Sequence, residues 1–277
     1  MNGHQDTARD HTALARRTSR LTVITEDPSA DTTTVTATGP VTTATTCRGP
    51  LLAVCGLCGG AGTSTLAYLI ALAVARSSAR PVLVADTSSP GGTIASLAGV
   101  ESPRSLTELA DHIAAGLPTG QPIASTRDGL RVLATGPRLA PACDGEALGR
   151  LLDQARERYA LTVIDCGTLA HQASQAALTR ASHVLWVIPA TVSAISLAQS
   201  VLSAIDSDRL GRQLVLARPH AHQPKAAMTE LKRVAHDRQA TLILLPDLPD
   251  LATAAASSAI EIAQVALQAI LGALSRP

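Results

Sequence analysis

Phenylalanine is missing from this chain, and aromatic residues as a class make up 1% of it. Its interior must therefore be built from aliphatic side chains, which suits closely packed helices on a parallel sheet. Long apolar runs are missing too. No stretch offers the ~20 uninterrupted apolar residues that a membrane-spanning helix needs. The arginines near the start (Arg9, Arg16, Arg17, Arg20) are followed by no apolar segment, so a signal peptide is not expected. There is little imbalance of charge: the net charge is +1, so bulk charge favours neither nucleic acid nor membrane, and any basic patch must be local. Cysteine is sparse and odd in number (Cys47, Cys55, Cys58, Cys143, Cys166). Cys55 and Cys58 alone share a C-x-x-C spacing, with no second pair or histidine at zinc spacing. Reduced thiols in a cytosolic protein are the expectation.

What is there divides in two. Residues 1–48 are rich in threonine, serine, aspartate and arginine, with few large apolar side chains. Such a segment cannot bury enough surface to offset the entropy of ordering, and a disordered tail is expected. Residues 49–277 alternate apolar strand-like runs (51–56, 81–86, 130–134, 160–165, 183–188, 213–217, 241–245) with stretches of helical length and spacing (105–115, 144–158, 191–206, 223–238, 256–274). Ser105 and Glu108 form a capping box at the start of one of these helices. Alternating strands and helices predict an α/β domain: a doubly wound, mostly parallel sheet with helices on both faces.

The segment from Leu51 to Thr65 carries the most chemistry. Leu51 to Val54 read as a strand, Gly59, Gly60 and Gly62 as a tight turn, and a helix opens at Ser64. Glycines let backbone N–H groups turn towards an anion, and the helix N-terminus adds partial positive charge. Two later strands each end in an aspartate: Leu83 to Asp86, and Leu161 to Asp165 with Gly167 two residues on. An aspartate so placed beside a phosphate loop can hold magnesium or its waters.

Together these pieces resemble the ParA/MinD family of deviant Walker A P-loop ATPases, over residues 50 to 274. That family's loop reads K-G-G-x-G-K-[ST]; here the same positions are Cys58, Gly59, Gly60, Ala61, Gly62, Thr63 and Ser64. Its switch, D-x-D, is Asp86-Thr87-Ser88, and its Walker B element is Asp165 to Thr168. Ala181 to Ala190 is similar to its strand "ADxVLVVxxP", and Leu244 to Pro249 to its nucleotide-proximal loop. The resemblance implies ATP held by Cys58, Gly59, Gly60, Ala61, Gly62, Thr63, Ser64 and Thr65. It implies Mg2+ at Ser64, Asp86 and Asp165, with Asp86 and Asp165 the catalytic carboxylates if the chain is active.

The chain also departs from that pattern. The signature lysine is Cys58, the loop lysine is Thr63, and the second switch aspartate is Ser88. A hydrogen bond to a charged group contributes roughly 1.5–3 kcal/mol, so losing both lysine contacts weakens ATP binding by roughly two to four powers of ten. Each lost group that neutralises charge or orients water costs a further hundredfold or so in rate. Little or no hydrolysis is expected.

Elsewhere, Arg218, Lys225, Lys232, Arg233 and Arg238 make a local basic cluster that could hold DNA non-specifically; a solvated helix face is the simpler expectation. The helix at 256–274 lacks the cationic flank of a membrane-surface helix and reads as core. Trp186 and Tyr68 read as core, and His171 as a loop residue. Three functions fit these observations. The first is a degenerate ParA/MinD-like protein that positions or scaffolds a pilus or secretion assembly, in the manner of the TadZ/CpaE branch. The second is a working ATPase of DNA partition or transfer. The third is an interaction module with an empty loop. For the first, a homodimer in the cytoplasm is expected, brought to a membrane or cell pole by protein partners.

Overall fold

The computed structural model describes residues 48–87, 93–101, 105–116, 123–133, 145–218, 225–250 and 254–275. The tail at 1–47 lies outside them, as do Ser88, Cys143, His220, His222 and Arg276. The elements run β1 (Leu51–Gly56), α1 (Thr63–Ala75), β2 (Val82–Asp86), α2 (Thr93–Ala98), α3 (Leu106–Ala114), β3 (Ala124–Ser125), β4 (Leu130–Leu133), α4 (Gly145–Arg158) and β5 (Leu161–Gly167). They continue with α5 (Gln172–Arg180), β6 (His183–Pro189), α6 (Val192–Ser203), β7 (Arg212–Arg218), α7 (Lys225–Asp237), β8 (Thr241–Leu244), α8 (Ala256–Ile262) and α9 (Gln264–Leu274).

The eight strands form one sheet in the order β3-β4-β2-β5-β1-β6-β7-β8. Every pairing is parallel except β3 with β4. β1 is fully buried, and its side chains alternate between two cores. Leu51, Ala53 and Cys55 face the core built with α3 to α7, while Leu52 and Val54 face the one built with α1, α2, α8 and α9. Burial on both faces is why the parallel strands are continuous apolar runs and not alternating ones. The order also puts the carboxyl ends of β2, β5, β1, β6 and β7 along one edge, which is where doubly wound sheets bind ligands.

The expected strands are all present, with ends that differ by no more than two residues. Three features differ from the sequence reading. The short α2 and α5 fall where no helix is expected; α5 is mostly small and polar residues and presents only Ala173, Ser174, Ala177 and Leu178 inward. β3 adds a two-residue antiparallel edge through a turn at Gly129, whose φ is 77°. The expected single helix at 256–274 is two helices bent by 76° at Ala263. No proline or glycine marks that break, at which Ala259, Ala263 and Ala266 are all buried in the same core. Among the described residues no single helix is long and apolar enough to cross a membrane.

Candidate nucleotide-binding site

After Gly56 the chain leaves the sheet through Cys58 and turns at Gly60 and Gly62, with φ of 73° and 92°. Gly62 is the N-cap of α1, and any other residue there pays roughly 1–2 kcal/mol for its Cβ. A Cβ built on Gly59 or Gly60 meets nothing within 4 Å, so the turn stands open. Leu66 N, bonded to Gly62 O at 3.0 Å, makes the first intrahelical bond. The N–H groups of Thr63, Ser64 and Thr65 precede it and point from the helix end, and α1 has no acidic residue in its first turn. This is a backbone cradle for an anion. Thr63 adds no charge. Its Cγ2 lies 2.9 Å from a Cβ built on Gly56, so its methyl is tucked against the end of β1. A cleft of about 330 Å³ opens beside Cys58, Gly59 and Gly60, closed on its far side by Pro189, Thr191, Ser193, Ala194 and Leu197 at the start of α6.

The two strand-end aspartates are brought together. Asp86 and Asp165 are register partners on adjacent parallel strands, and both are fully buried. Asp165 Oδ1 accepts a hydrogen bond from Gly167 N at 3.0 Å. Its backbone oxygen accepts from Thr87 N at 3.0 Å and from Thr87 Oγ1 at 2.9 Å. Thr87 Oγ1 also lies 3.0 Å from Ser174 Oγ, which donates to Thr87 O at 3.2 Å. Thus α5 locks the strand ends that carry both carboxylates. Just beyond, Leu169 holds a left-handed φ of 62°, a strained conformation for a leucine beside Asp165. Sequence reading singled out neither Ser174 nor this strain: a serine in a segment without helical signal carries no pattern.

Cys55 and Cys58, three residues apart in sequence, lie in different surroundings. Cys55 points into the core, where burial first, and then a hydrogen bond with Cys166 on β5, push its thiol well above the ordinary cysteine range. Cys58 stands half-buried on the loop, and all three thiols are free. The basic cluster comes apart. Arg238 is buried: Nη1 donates to Leu202 O at 3.0 Å and Ile205 O at 2.8 Å, and Nε to Gln213 Oε1 at 3.0 Å. It ties the end of α7 to the sheet and is not a DNA contact, because its guanidinium is buried away from the surface. Lys232 and Arg233 are exposed on α7, with Arg233 3.9 Å from Glu230; the side chain of Lys225 lies outside the described residues. Arg218 turns the other way, and its Nη1 donates to Gly60 O at 3.2 Å. Trp186 and Tyr68 are core, as expected. His171 is half-buried at the N-cap of α5.

No family model and no curated protein sequence matches the chain. Solved structures do. A ParA family ATPase from Chlorobium tepidum superposes with a TM-score of 0.63 at 14% identity, over 83% of this chain and 98% of that one. The fold is that of the ParA and MinD ATPases. The MinC:MinD cell division complex of Aquifex aeolicus matches with a TM-score of 0.59 at 18% identity, over 82% of this chain and 97% of that one. Cobyrinic acid a,c-diamide synthase from Mycobacterium smegmatis, with bound ATP analog and magnesium, matches with a TM-score of 0.59 at 21% identity, over 82% and 96%.

On this ParA/MinD fold, the site fits a magnesium nucleotide. The cradle is open where the phosphates would lie, and the N–H groups of Thr63 to Thr65 are available to hold them. Among the described residues no group of three or more His, Cys, Asp and Glu side chains could cage a metal. Magnesium needs no such cage: it is held by one or two carboxylates, by substrate phosphates and by waters. Asp86, Asp165 and the Ser64 hydroxyl would supply the protein's share. A bound magnesium would neutralise phosphate charge there.

Proposed function

We propose that this chain binds a magnesium nucleotide, with little or no hydrolysis, and acts as a degenerate ParA/MinD-like protein that positions or scaffolds a cellular assembly. The supporting observation is the uneven state of the site. The backbone cradle and the buried Asp86–Asp165 pair are kept, while Cys58 and Thr63 stand where phosphate-reaching lysines would be. Binding relies on parts that remain, whereas phosphoryl transfer relies on the charge-neutralising and water-orienting groups that do not. Pilus or secretion machinery, in the manner of the TadZ/CpaE branch, is the assembly this reading favours. The chain would act in the cytoplasm as a homodimer and be recruited to a membrane or pole by protein partners.

Calorimetry with ATP, with and without Mg2+, tests the binding. Magnesium-dependent binding is expected, and Asp165→Ala is expected to remove the magnesium dependence. Steady-state turnover above background, lost in Asp165→Ala, would instead favour a working ATPase of DNA partition. Salt-sensitive DNA retention lost in a Lys232→Glu/Arg233→Glu variant would support that same alternative. A chain that binds no nucleotide at all would be an interaction module.

A further inference from the structure

We propose that Arg218 is the cation of the phosphate loop, delivered from β7 to do in cis what Cys58 and Thr63 are unequipped to do. The proposal rests on the reading of the loop as a polyphosphate site.

Strand order makes the reach possible. β7 lies two strands from β1, with β6 between them, a separation of roughly 10 Å. Arg218 is the last residue of β7 and the register partner of Pro189, the last residue of β6. Its backbone oxygen is tied to Ala190 N at 2.9 Å. Pro189, at the end of β6, and Ala190 just after it are therefore the backbone beside which the arginine crosses. The side chain passes over this end and arrives at the loop. Nη1 donates to Gly60 O at 3.2 Å and lies 3.7 Å from a Cβ built on Gly62. The guanidinium thus sits beside two of the glycines whose backbone shapes the cradle.

The chemistry of the group fits the task. A guanidinium carries five N–H donors in a planar fork and stays charged. One bond to Gly60 O occupies one donor and leaves others for phosphate oxygens. Arg218 is only half-buried, so an incoming anion can reach it. The composition agrees: lysine occurs only at Lys225 and Lys232, both on α7, and every other permanent side-chain cation is an arginine. The ligand class this selects is a polyphosphate, whose adjacent charged groups engage the helix N-terminus and the fork at once.

The test is calorimetry on the full chain, in Mg2+, with ATP, ADP, AMP and inorganic tripolyphosphate. Arg218→Gln is expected to weaken ATP and tripolyphosphate by roughly ten- to a hundredfold, and AMP less. Arg218→Lys is expected to recover part of the loss. Binding unchanged in Arg218→Gln would overturn the proposal and leave the nucleotide reading standing, with Arg218 only bracing Gly60. Tighter binding in Arg218→Gln would also overturn it and make the guanidinium a latch across the loop. A wild-type chain that binds none of these probes would overturn both readings. Should the variants fail to fold, phenylglyoxal labelling of the unaltered chain decides: tripolyphosphate is expected to protect Arg218, and unchanged labelling overturns the proposal.

Discussion

The sheet differs on the two sides of β1. On the β5–β2 side, the strand ends carry buried carboxylates, Asp165 and Asp86, locked by Thr87 and Ser174. On the β6–β7 side, the strands carry arginine contacts: Arg218 at the carboxyl edge against the loop, and Arg238, just after α7, which reaches Gln213 near the start of β7. The acidic side pairs two buried carboxylates at the ends of adjacent parallel strands. On the cationic side, under the proposal for Arg218, charge reaches the loop from a strand and not from the loop itself. Positive charge and backbone cradle are separable parts of such a site, because only the cradle is tied to the strand–turn–helix geometry.

Three changes probe this contrast. The largest effect is expected from Arg238→Ala, which strips the donor from the Leu202 and Ile205 carbonyls. It should cost about 2–4 kcal/mol, a fall in Tm of roughly 5–15 °C, while leaving nucleotide affinity at 25 °C intact. A stable variant that loses ligand binding would break the division of labour between the two arginines. Next, Thr63→Lys returns the cation to the loop. Nucleotide affinity measured by calorimetry is expected to rise roughly ten- to a hundredfold, and the cost of Arg218→Gln to shrink in that background, as coupled neighbours should behave. Independent effects would show that the two cations serve different anions.

The smallest effect is expected at the opposite edge of the sheet. Burial, and then Arg212, hold the His183 imidazole below its ordinary value, against a hydrogen bond from its ring to the Ala273 backbone that raises it. The unfolded chain therefore takes up this proton first as pH falls below about 6.5. Stability contributed at neutral pH is lost across that window and levels off below the folded value. Thermal melts from pH 7.5 to 5 should show a shallower acid limb for His183→Gln, with the nucleotide site unaffected. An unchanged limb would mean that another group carries it.

Much of this architecture was legible because parallel strands buried on both faces leave continuous apolar runs. β1 falls at Leu51–Gly56, as the sequence indicates, and the capping box closes at both ends: Glu108 N bonds to Ser105 Oγ at 3.2 Å, and Ser105 N to the Glu108 carboxylate at 2.9 Å. The glycine turn and the paired aspartates were legible for the same local reason. The roles of Arg218 and Arg238 were not. Both belong to one basic stretch in the sequence, and only strand order and helix rotation send one to the loop and the other into the interior. Cys55 likewise has a sequence neighbour in Cys58 but a spatial one in Cys166, because β1 pairs with β5. The bend at Ala263 left no trace in the sequence, since neither proline nor glycine stands there.

Trp186 is the molecule's one indole, and its surroundings make it an optical probe. It is fully buried on β6, opposite Cys55 of β1, and its Nε1 donates to Gln213 Oε1 at 2.9 Å, the same oxygen that Arg238 holds. Its emission should therefore be blue-shifted in the native chain and should redden as α7 peels from β7. With no second tryptophan to dilute the signal, steady-state fluorescence reads the loosening of the arginine side of the sheet directly, and the same trace recorded with polyphosphate present reports whether filling the loop tightens it.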